Sequence, residues 1–148
     1  MIGYNIPDVK LRGISIQQLK VVYTEIVKRC KQEGWTNKDR KLLIPETVCL
    51  YDIRDRIIME HTRSMQCSYV ELVATGPQKP TWFVSHWWGE PVMAMIRCLE
   101  QHCSNHELSE ENTYYWICVS SCMSDYYRVL FTFIIIYLIA HVFLTSCN

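Results

Sequence analysis

Between Thr81 and Val92 the chain reads TWFVSHWWGEPV, and Ser85, His86 and Glu90 within it are the residue types of a nucleophile, a base and an acid. A serine hydroxyl activated by an imidazole would carry out acyl transfer. Neighbouring side chains on a strand point to opposite faces, however, so Ser85 and His86 do not form a dyad while both are extended. That parity puts Phe83 and Ser85 on one face and Trp82, Val84 and His86 on the other, with Trp82 expected in the core. The chain then turns out of the sheet at Trp87-Trp88-Gly89. The carboxyl end of a parallel strand is where α/β proteins hold ligands, and a helix starting there offers free amides to an anion. Ser85, His86, Trp87, Trp88, Gly89 and Glu90 are therefore the candidate binding residues, and no catalytic residue is assigned. The acidic Glu90 argues against a simple phosphate site.

Cys98, His102, Cys103 and His106 crowd one helix end. Cys98 and His102 have the i, i+4 spacing that lets two metal ligands meet on one face. Cys103 points about 100° away from His102 on a helix, and no CxxC or HxxxH elsewhere supplies a second ligand pair. The expectation is no metal, with buried thiols beside an exposed histidine. Cys118 and Cys122 read as core cysteines. HExxH, the Walker lysine loop and GxGxxG are absent as well, so no cofactor is expected.

The elements that must position these residues follow from periodicity. Ser15 and Gln18 form a capping box for an amphipathic helix with Ile16, Leu19, Tyr23, Ile26, Val27 and Cys30 on its stripe, closed at Gly34. Leu50, Ile53 and Ile57 predict a second helix behind Pro45, and Ser68 with Glu71 caps a short third one. TWFVS reads as a buried strand. Pro91 opens a helix with Val92, Ile96, Leu99 and Cys103 on one stripe, and TYYWICVSS is again aromatic and β-branched. Strand, helix, strand in that order is a right-handed parallel βαβ crossover.

The segment from Val129 to Leu144 is sixteen residues without Asp, Glu, Lys or Arg. As a helix it spans about 24 Å, a little short of the roughly 30 Å hydrocarbon core, and Tyr126, Tyr127 and a snorkelling Arg128 extend it. The reading is a single C-terminal anchor over residues 126–146, with a buried core element as the alternative. All fifteen basic residues precede Val129, which keeps the body cytosolic if the segment inserts. A chain of 148 residues can bury a real core without disulfides, and its eight cysteines, without a signal peptide or a glycosylation sequon, read as reduced thiols. Fifteen basic and fifteen acidic residues, scattered rather than striped, exclude nucleic acid as the first partner to consider.

CSYVELVATGPQKPTWFVSHWWGEPV, followed by RCLEQH and YYWICVSS, resembles a group of uncharacterised protist proteins that share an FVSHWWGEP signature, over residues 42–119. More distantly, the chain is similar to the opening of a Toll/interleukin-receptor-like (TIR-like) domain. That resemblance puts Phe83, Val84 and Ser85 on the first strand and Glu90 near the acidic position of the first loop. It implies a doubly wound α/β fold. The Trp-Cys-x-x-Glu-type element that carries the glutamate of NAD-cleaving members has no counterpart after Val119, so the resemblance implies a truncated unit with two parallel strands. The expected organisation is an N-terminal helical region (1–80), a strand-helix-strand TIR-like fragment (81–121) and a hydrophobic C-terminal segment (126–146). The expected function is a non-catalytic, membrane-anchored α/β protein acting through an unknown protein partner. The alternatives are a nucleotide-processing or hydrolytic enzyme using the pocket at the end of the first strand, and a degenerate copy without function.

Overall fold

The computed structural model describes residues 3–118, and the hydrophobic segment 126–146 and Cys122 lie outside the described residues. Helices surround a small mixed sheet of three strands: β1 (Ile14–Ser15), β2 (Trp82–Phe83) and β3 (Tyr114–Trp116), in the order β1-β3-β2. β2 and β3 are parallel, Trp82 opposite Tyr115 and Phe83 opposite Trp116, and the helix α5 (Val92–Asn105) connects them. The βαβ unit read from the sequence is therefore present.

The third strand corrects the two-strand expectation. β1 pairs antiparallel with β3, Ile14 opposite Tyr115 and Ser15 opposite Tyr114, and so closes the sheet on the side away from β2. Two residues carry no legible alternation, which is why Ile14 and Ser15 read only as the approach to a helix.

Ser15 leaves β1 directly into α1 (Ile16–Glu33). Its hydroxyl accepts from the Gln18 amide, the Gln18 side chain returns to the Ser15 amide, and the helix ends at Gly34 with a left-handed φ of 61°. Ile16, Leu19, Val22, Ile26 and Cys30 face the core. Val27, expected on this stripe, is exposed, and Val22 is buried instead, because 3.6 residues per turn bring 19, 22 and 26 onto one line. α1 packs against α5, where Lys20 bridges Glu100 and Glu110 at 2.7 Å each.

The second predicted helix runs as α2 (Leu50–Ile53), a π-helical stretch at Arg54–Ile58, and α3 (Met59–Thr62). Leu50, Ile53 and Ile57 are buried as the spacing predicts, and the wider π turn brings Ile58 into the core beside Ile57. α4 (Tyr69–Val73) starts on the Ser68–Glu71 capping box. On α5, Val92, Met95, Ile96, Leu99 and Cys103 are buried, and Pro91 stands just before the first helical residue. One core cluster joins Ile14, Ile26, Ile57, Val70, Ile96, Tyr115 and Ile117, so the N-terminal helices and the βαβ unit share it.

A polar clamp ties the N-terminal strand to the segment ahead of β2. Glu71 accepts from the Ile6 amide at 2.9 Å and the Ser68 amide at 2.7 Å, and its second oxygen lies 3.4 Å from the Arg12 guanidinium. Arg12 Nε donates to the Ile6 carbonyl at 2.8 Å. Gln78 Nε2 donates to the Gly13 carbonyl at 2.7 Å, and Gln18 Nε2 donates to the Val73 carbonyl at 3.2 Å. Buried polar groups in this region are met by partners, as a stable interior requires.

Candidate functional site

β2 is an edge strand, and the stretch that opens the candidate site leaves from its end. The Val84 amide still donates to the Trp116 carbonyl at 3.1 Å, but the strand proper is Trp82–Phe83, shorter than the predicted TWFVS. Beyond Phe83 the loop is held from the other side. The Leu50 amide donates to the Trp88 carbonyl at 3.0 Å, Cys49 and Pro91 form an isolated bridge, and the Glu90 amide closes a turn onto the Trp87 carbonyl at 2.9 Å. The Trp88 ring is half-buried against the core and meets Tyr51 at 5.6 Å.

Trp87 projects outward, 73% exposed. Its indole lies so close to Gly89 that a Cβ there would sit 2.3 Å from the ring, so the position has room only for glycine while the ring stays where it is. The rest of the indole meets solvent.

Ser85 is exposed and His86 half-buried, no hydrogen bond joins them, and both lie past the end of the strand to which the parity argument applies. Both ring nitrogens of His86 are buried, neither meets a partner in good hydrogen-bond geometry, and the Val84 backbone is the polar group that acts on the ring. Burial lowers the His86 pKa from 6.5, outweighing the Val84 backbone and the Glu90 charge, which act in the opposite direction. Glu90 itself is half-buried. The anion site expected at the start of α5 loses one of its amides, because the Val92 N–H donates to the Val48 carbonyl at 2.9 Å.

Trp82 overturns its expected core placement. It is 40% exposed, as is Phe83, because among the described residues no further strand pairs along the outer side of β2. Trp82 lies edge-on to His102 with centroids 4.5 Å apart and 5.6 Å from His106, while Phe83 stacks on Trp116 at 5.2 Å. Trp82, Phe83 and Trp87 thus put exposed aromatic surface on β2 and the turn after it.

The cysteine-histidine cluster sorts differently from its sequence spacing. Cys98 is exposed, which corrects the reading of it as a buried thiol, while Cys103 is buried. His102 Nδ1 lies 3.0 Å from the Tyr115 hydroxyl, and Cys103 Sγ lies 3.1 Å from the same oxygen. Tyr115, 1% exposed, is the residue that sequence reasoning missed. Its place opposite both Ile14 and Trp82 makes it the central residue of the sheet, and only the pairing reveals that. Burial, with Cys103 beside it, pushes the Tyr115 pKa well above the usual phenol range. Among the described residues, no group of three or more His, Cys, Asp and Glu side chains converges as a metal cage.

Two open grooves lie elsewhere. One of about 570 Å³ is lined by Asp55, Met59, Glu60, Arg63 and Ser64, and one of about 330 Å³ by residues that include Tyr4, Cys67 and Glu71. Neither is lined by any residue from Ser85 to Glu90.

The class defined by these features is an α/β protein with a small mixed sheet and, among the described residues, an aromatic edge that no further strand pairs. No protein-family model, curated protein or solved structure matches the chain.

Proposed function

We propose that the protein is a non-catalytic α/β module that acts through protein contacts, with β2 and the turn after it as the contact surface. The observation that carries this reading is the aromatic edge, where Trp82, Phe83 and Trp87 are exposed on a strand whose outer side no other strand of the described residues pairs. Aromatic side chains supply much of the binding energy of protein interfaces, and an open strand edge is a template for an added strand. In the same proposal the segment 126–146 holds the protein at a membrane with its body in the cytosol, supported by sixteen residues without a charge. Among the described residues no helix is long and apolar enough to cross a membrane.

The relation to the protist FVSHWWGEP group and to TIR-like domains belongs to the proposal too. What supports the TIR-like part is the parallel β2-α5-β3 unit with a free edge on its first strand, since a 2-1-3-4-5 sheet adds its third strand at that edge. The antiparallel β1 lies outside such a plan.

The test is a photocrosslinking amino acid placed at Trp87 in the full-length chain, with Lys31 on the far end of α1 as the control position, combined with membrane fractionation. A discrete crosslinked partner from position 87 alone, in the membrane fraction, is expected. Equal crosslinking from both positions, or none, removes the contact reading, and a fully soluble chain removes the anchor.

A second reading, a nucleotide-processing or hydrolytic site, is favoured by one observation: the two buried ring nitrogens of His86 behind Glu90, neither in a well-formed hydrogen bond. Turnover of NAD or another nucleotide that disappears in Glu90→Gln would establish it in place of the first.

A further inference from the structure

We propose that His102 and His106 form a surface clip for a borderline divalent cation such as Zn²⁺, Ni²⁺ or Cu²⁺, beside the contact surface above and sharing Trp82 with it. His102 lies in the last turn of α5 and His106 is the residue that caps it, four positions on, so their rings come together at the helix end. The ring centroids are 4.5 Å apart with planes 39° from parallel. Imidazole nitrogen is the side-chain donor that suits all three metals.

His102 has the outer hydrogen bond that orients metal-binding histidines. Its Nδ1 lies 3.0 Å from the buried Tyr115 hydroxyl, which lies 3.1 Å from Cys103 Sγ. A chain in which Nδ1–H donates to the tyrosine oxygen and the tyrosine O–H donates to Cys103 satisfies all three groups. It also leaves the Nε2 lone pair of His102 free for a metal. Trp82, 4.5 Å from one ring and 5.6 Å from the other, walls one side of the pair. The spacing argument from sequence pairs His102 backward with Cys98, whereas the ring contact runs forward to His106. Two protein nitrogens leave the remaining coordination positions to water or to a ligand from a partner, as in open rather than structural sites.

The experiment is titration of Ni²⁺ alone into the full-length protein, followed by calorimetry and by tryptophan emission. Wild type is expected to take up one equivalent more than either His106→Ala or His102→Ala, and Trp82→Phe removes the accompanying emission change. Binding by thiols elsewhere is common to all variants and cancels in the difference. Tyr115→Phe is expected to keep that equivalent and weaken it by about ten- to a hundredfold, the usual effect of losing an orienting partner. His106 is exposed and follows the last residue of α5, so its alanine variant should keep the wild-type circular dichroism spectrum. Identical stoichiometry and affinity in wild type and both alanine variants would overturn the proposal.

Discussion

The clamp around Glu71 and the turn after β2 are built from similar materials and treat them in opposite ways. At the clamp, Glu71 and Arg12 are 6% and 7% exposed in their side chains, and the carboxylate receives two backbone amides as well as the guanidinium. At the turn, an imidazole is buried at both nitrogens without a well-formed hydrogen bond, and an indole stands 73% exposed. A satisfied buried network holds elements together, whereas an imidazole buried without well-formed hydrogen bonds beside exposed aromatic rings contributes less to stability. On the proposed reading the first region serves stability and the second contact, and substitutions in each should therefore separate.

The largest effect belongs to the clamp. Glu71→Ala removes the anionic partner of Arg12 and the acceptor of the Ile6 and Ser68 amides, and is expected to destabilise by about 3–5 kcal/mol in urea unfolding. A loss below about 1 kcal/mol would mean that the two regions do not differ as argued. Gln78→Ala leaves the Gly13 carbonyl without its side-chain donor and should cost about 1–3 kcal/mol by the same measurement.

At the turn, His86 makes a pH test with a definite sign. Burial lowers its folded pKa below 6.5, so the unfolded chain binds the proton more readily, and stability is complete above about 6.5 and falls as the pH drops from there toward the folded value. Replacement by Phe should remove this component of the pH dependence, measured as urea midpoints across that range. An unchanged profile would place His86 in ordinary hydration. The smallest stability effect is expected for Trp87→Ala, within about 0.5 kcal/mol of wild type, because the ring is largely in solvent. The same variant should abolish capture of the crosslinked partner from a reporter at Phe83. A large stability loss in Trp87→Ala would turn the contact residue into a structural one.

The parts of the fold legible in the sequence are those governed by neighbours along the chain. The capping boxes at Ser15 and Ser68, the stop at Gly34 and the buried stripe of α5 each depend on residues three or four positions apart. The crossover from β2 through α5 to β3 follows from the change in hydrophobic period. Trp82 was the instructive failure. A tryptophan in an apolar strand reads as core, yet burial depends on what lies across the strand, and no further strand of the described residues flanks β2 there. The reverse holds for Glu71, read only as a helix cap, whose Oε1 accepts from the Ile6 amide 65 residues away.

For the candidate site, residue order determined that the chain turns at Trp87-Trp88-Gly89 into a helix, because helix initiation is local. Tertiary structure alone decided that Trp87 lies on Gly89, that His86 is enclosed without a well-formed hydrogen bond, and that Tyr115 ties His102 to Cys103. Those are contacts between elements far apart in the chain or between rings whose rotamers are set by packing, and no spacing rule carries that information. By itself the sequence determined the helices, the β2-α5-β3 crossover and the place of the turn; the third strand and the exposure of the β2 side chains were decided by the sheet order, since an edge strand exposes what a central strand would bury.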